Sequence, residues 1–132
     1  MTDLAEFLLA RIAEDQKWAR AAAKFHPTPW RLDPEVQTTM EVGRWLADAS
    51  DEGVLVANGD AAARHIVRHD PARVLAECAA KRAIVELHGQ YGDPLSADYG
   101  DGAPDLAADT LRLLALPYAE HPGYRPEWSP TG

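Results

Sequence analysis

Residues 60–77, Asp60-Ala61-Ala62-Ala63-Arg64-His65-Ile66-Val67-Arg68-His69-Asp70-Pro71-Ala72-Arg73-Val74-Leu75-Ala76-Glu77, carry two helix-start signals in close succession. Asp60 is placed to cap a short helix through Val67. Asp70 followed by Pro71 reads as a second N-cap with proline at the first helical position, where a missing N–H costs nothing. The pattern predicts a broken helix pair over 60–88 that turns at Asp70-Pro71. Its second member repeats Val74, Leu75, Cys78, Ile84, Val85 and Leu87 at helical spacing, and Gly89 after His88 is a fitting terminator.

Towards the N-terminus, Leu4, Phe7, Leu8, Ile12 and Ala19 recur every three or four residues, which predicts a long amphipathic helix over 3–24. Thr2 is its N-cap, and Pro27 and Pro29 forbid its continuation. Residues 29–58 form a hairpin region in which Arg44–Ala47 faces Val54–Ala57 across the turn Asp51-Glu52-Gly53. From Pro34 to Val42, a strand and a short helix capped by Asp33 fit equally well.

Towards the C-terminus, Gly92, Pro94, Gly100, Gly102 and Pro104 predict an exposed flexible loop over 90–104. Residues 105–132 read as a helix capped by Asp105 and kinked at Pro117. A tail follows, strapped down by Tyr118, Tyr124 and Trp128. The expected architecture is therefore α+β and mainly helical, a single domain over 1–132. It has a long N-terminal helix, a small β-hairpin, the broken pair and a kinked C-terminal helix with an aromatic tail.

The 132 residues carry 13 Lys and Arg against 21 Asp and Glu, a formal net charge of −8. That acidity disfavours a general grip on phosphate backbones, so nucleic acid is not the expected partner. One cysteine closes no intramolecular disulfide and builds no multi-thiolate metal site, which suits a reducing compartment. The N-terminus lacks a basic segment followed by an apolar block, and apolar runs are short. Neither a signal peptide nor a membrane span is expected, and the cytoplasm is the expected location.

The run His65-Ile66-Val67-Arg68-His69-Asp70-Pro71-Ala72-Arg73-Val74-Leu75, with Ala80-Lys81-Arg82, resembles an uncharacterised family of small proteins of actinobacteria and their phages. The likeness extends to the opening helix around Arg11–Asp15. It also takes in Thr110-Leu111-Arg112-Leu113-Leu114-Ala115 and Tyr118-Ala119-Glu120-His121-Pro122. The alanine-rich turn, Ile-Val pair and Asp-Pro before a core helix are similar to small accessory proteins of other temperate phages. The resemblance implies origin and architecture, and it carries no established activity. Relatives place cysteines in the loop before the last helix, one just ahead of the Thr-Leu-Arg run; here that position is Asp109 and the loop has no cysteine.

Chemistry has few footholds. His65 and His69 share a helical face and offer two positions of a zinc tetrahedron, which Asp70 or His88 would complete. The competing structural reading has His65 packed at the helix junction while His69 and Asp70 satisfy free backbone groups there. Arg82 falls on the apolar stripe of its helix and Asp15 on that of the opening helix. The two, with His65 and Asp70, are expected to form a structural polar cluster, with Asp15 or Glu14 meeting Arg82 or Lys81. Cys78 reads as a small core residue and the tryptophans as anchors of the hairpin and tail. With no phosphate cradle and no nucleophile turn, neither a catalytic residue nor a cofactor is expected. The expectation is a small cytoplasmic accessory protein that binds another protein, a second copy of itself included, through its acidic surface. The alternatives are a metal-dependent enzyme or metal-binding protein using His65, His69 and Asp70, and an acidic decoy of a nucleic-acid-binding protein.

Overall fold

The computed structural model of the chain describes residues 2–37, 43–91 and 103–130. Helix α1 runs Asp3–Phe25. Thr2 caps it, its Oγ1 accepting the Ala5 N–H at 3.2 Å, and Asp3 and Glu6 set negative charge against the positive end of the helix dipole. Three antiparallel strands follow in the order β1 (Arg31–Gln37), β2 (Gly43–Ala47) and β3 (Gly53–Asn58). The β2–β3 hairpin pairs Arg44 with Ala57 and Trp45 with Val56, as the turn signal at 51–53 requires. The sheet exceeds the expected hairpin by one strand, because Leu32 finds Leu46 and Arg31 finds Ala47 across β2. Residues 34–37 are accordingly strand; residues 38–42 lie outside the described residues.

Helix α2 spans Asp60–Arg68 and α3 spans Pro71–Tyr91. Asp60 is the first residue of α2 and not its cap. Gly59 holds that position at φ 92°, a conformation that favours glycine, with no side chain capping the helix. Asp70 does cap α3, its Oδ1 accepting the Arg73 N–H at 3.1 Å and its carbonyl the Val74 N–H at 3.1 Å. The α3 helix passes through Gly89, so the expected stop there is not used. Helix α4 spans Ala103–Ala115, starting two residues before Asp105, which therefore lies inside the helix. A 3₁₀ turn at Leu116–Tyr118 takes up Pro117, and another covers Pro126–Trp128. Most of the expected loop, residues 92–102, lies outside the described residues; 90–91 and 103–104 are helical.

The chain divides into two compact units, Met1–Glu14 with Cys78–Gly132, and Asp15–Glu77, so that α1 and α3 each contribute to both. In the second unit, Leu46, Ala57 and Ala63 form a buried cluster against which Leu32, Val54, Ile66 and Val67 pack, placing α2 on the sheet. In the first unit, Leu4, Leu8, Val85, Leu111 and Cys78 are buried. Its tail folds around one ring. Phe7 meets Tyr118, His121 and Tyr124 edge-on at centroid distances of 6.4, 5.6 and 6.2 Å, and Trp128 at 5.0 Å. Gly123 permits this approach, since a Cβ there would stand 3.2 Å from the His121 ring and 3.4 Å from Phe7. Arg11 bonds His121 and lies over Phe7, and Arg125 pairs with Asp3 at 3.0 Å. No helix among the described residues is long and apolar enough to cross a membrane.

Candidate functional site

The turn between β2 and β3 is organised by one carboxylate. Asp48 is completely buried, and its Oδ1 accepts the Ser50 N–H at 2.9 Å, the Ser50 hydroxyl at 2.7 Å and the Glu52 N–H at 3.1 Å. Its backbone N–H donates to the Glu52 carbonyl at 2.9 Å, closing the turn. Asp48 Oδ2 faces the Nδ1 of His26 at 3.0 Å. The Ser50 hydroxyl, aided by His26 and the amides of Ser50 and Glu52, holds the Asp48 carboxyl at about 2, although burial opposes the shift. Asp48 is therefore ionised at neutral pH.

His26 follows the last residue of α1 and is held independently of Asp48. Trp30 Nε1 donates to the His26 carbonyl at 2.9 Å, and the Ala49 N–H reaches the Pro27 carbonyl at 2.8 Å. Glu52 is exposed. Among the described residues, His26, Asp48 and Glu52 are the one set of three whose donor atoms could hold a metal ion, all within 4.8 Å of one another.

The residues singled out from the sequence fall elsewhere. His65 and His69 are exposed near the end of α2 with ring centroids 4.4 Å apart, and His69 Nδ1 lies 2.8 Å from the His65 carbonyl. Beside its capping bond, Asp70 accepts the Trp30 backbone N–H on Oδ2 at 3.1 Å, so both of its oxygens are engaged by amides. His88 belongs to the first unit, where its Nδ1 lies 2.8 Å from the Ile84 carbonyl. Asp15 is half-buried in the second unit. Arg82, half-buried in the first, has a buried Nε with no hydrogen-bond partner among the described residues. Sequence reasoning missed the Asp48 group. The spacing Asp48, Ser50, Glu52 was a legible local signal for a carboxylate-built turn, whereas nothing local announces His26 across 22 positions.

A second feature lies on α1. Trp18 and Phe25 share one helical face and are 63% and 74% exposed, so Trp18 is not the anchor expected of it. Exposed Lys17, Arg20 and Lys24 flank them, with Lys17 Nζ 5.2 Å from the Trp18 ring centroid. Between Asp15 and Asp33 the sequence has no acidic residue, an island of positive charge in an acidic chain.

A three-stranded antiparallel sheet carrying a short helix, combined with helices wrapped by an aromatic tail, makes this a small, mainly helical α+β protein. The family model described as "Family of unknown function (DUF6221)" matches residues 1–130, and the chain belongs to that family. Neither the curated proteins nor the solved structures compared with it contain a match.

Proposed function

We propose that this chain is a cytoplasmic accessory protein of actinobacterial or phage origin that acts by binding another protein, without catalysis of its own. The observation that carries the reading is the exposed Trp18 and Phe25 pair on α1. Large aromatic side chains held on a rigid helix are the usual anchors of protein interfaces, since they bury much area at little entropic cost. Their basic flank selects a partner with an acidic surface, the reverse of the basic patch that the net charge suggests. Exposed Leu106 and Leu113 on α4 lack such a signature, because Arg112 there pairs with Asp109 at 3.4 Å.

A photoreactive phenylalanine analogue at position 18, expressed in cells of the source organism, tests the reading. The expected product is one crosslinked protein that disappears when Lys17, Arg20 and Lys24 are changed together to Glu, and that does not form from the same analogue at exposed position 64. Crosslinks independent of position or charge would overturn it, as would crosslinks to nucleic acid.

A further inference from the structure

The Asp48 turn offers more than a hydrogen bond needs. We propose that His26, Asp48 and Glu52 form a binding site for a divalent cation of the zinc class, clamping the chain segment after α1 to the β2–β3 turn. The donor set is one imidazole nitrogen and two carboxylates, which suits zinc, cobalt or nickel. The Nδ1 to Oδ2 separation of 3.0 Å is close to the ~3.3 Å edge of a tetrahedron with metal–ligand bonds of about 2.0 Å. A cation there displaces the bridging proton, which passes to Nε2 or to solvent: Nδ1 then presents its lone pair, the imidazole hydrogen sits on Nε2, and Asp48 Oδ2 turns from acceptor to ligand. Glu52, whose backbone is fixed to Asp48 by two hydrogen bonds, needs only side-chain rotation in solvent to supply the third ligand, leaving a fourth position for water.

What separates this group from an ordinary acidic surface cluster is its support. The ligating carboxylate is wholly buried, and three donors fix its other oxygen. The main chain of the histidine is fixed by the Trp30 indole, and the Trp30 ring meets the imidazole edge-on at a centroid distance of 6.4 Å. Outer contacts of this kind fix the direction of ligands in known metal sites. Magnesium, which demands octahedral oxygen and dehydrates reluctantly, is not the ion this set selects.

Isothermal titration of the full chain with Zn²⁺, repeated with an excess of Mg²⁺ present, tests the proposal. The expected result is saturable one-to-one binding that Mg²⁺ leaves intact and that raises the Tm, because only the folded chain assembles the ligands. Glu52→Gln keeps the backbone bonds of the turn and should weaken Zn²⁺ by about tenfold or more, and His26→Ala by more still. The double variant His65→Ala/His69→Ala should bind as the parent does. Absence of saturable binding would overturn the site, as would binding unchanged by Glu52→Gln or binding lost with His65 and His69. The Glu52→Gln result stands even where His26→Ala fails to fold.

Discussion

The β2–β3 turn of the second unit and the aromatic tail of the first solve the same problem, fixing irregular backbone, by opposite means. At the turn a single buried carboxylate gathers amides, a hydroxyl and an imidazole, so the structure is directional and depends on one ionised group. At the tail one phenyl ring gathers four aromatic partners, so the structure depends on area and shape. The lesson is that removal of one centre should act differently in the two places. Loss of a polar hub deprives all of its donors of their common acceptor at once, whereas loss of a ring leaves a gap that neighbours can partly close.

Asp48→Ala is therefore expected to do the most damage, lowering the Tm by on the order of 10 °C in thermal circular dichroism, because two amides and an imidazole lose their acceptor. Acid should reproduce that loss by protonation. The folded carboxyl titrates at about 2 against an ordinary 3.8, so its contribution is complete above the ordinary value and disappears as pH falls through about 2. Amide chemical shifts of Ser50 and Glu52 should report a midpoint near 2; a midpoint near 4 would remove the polar hub from the comparison. Phe7→Ala is expected to cost about 2 to 3 kcal/mol in urea denaturation, less than a fully buried phenylalanine, with faster hydrogen exchange at the Tyr124 and Trp128 amides.

Asp70→Ala comes next, at about 1 to 2 kcal/mol, since it removes the α3 cap and also orphans the Trp30 amide. Urea denaturation of this variant sharpens the contrast, because a cap alone would cost about 1 kcal/mol. The smallest effect on stability belongs to Trp18→Ser and Phe25→Ser, each within about 0.5 kcal/mol of the parent, because neither side chain is buried. A large loss at either position would mean that the stripe serves packing.

Much of this fold was legible in local chemistry. Thr2 and Asp70-Pro71 announced their helix starts because a cap is a short-range signal read from side chain to nearby amide. The hairpin followed from Asp51-Glu52-Gly53 for the same reason. Residues 34–37 could not be decided between helix and strand, since Asp33-Pro34 mimics a helix start and only the pairing of Gln37 with Arg44 across the sheet resolves it. The beginning of α2 was misread by one residue, because the glycine that turns the chain there acts through backbone angle and not through a side chain. The candidate site was legible only in its hairpin half. His26 reaches Asp48 through tertiary structure, and the exposure of Trp18 is likewise a property of the folded surface that no periodicity reveals.

The most direct test of the α1 surface compares the parent with the double variant Trp18→Ser/Phe25→Ser, purified from cells of the source organism under identical conditions and weighed for bound protein. The account predicts that the partner crosslinked from position 18 co-purifies with the parent and is lost from the variant, while the Tm of the two chains agrees. Retention of that partner by a folded variant would contradict it.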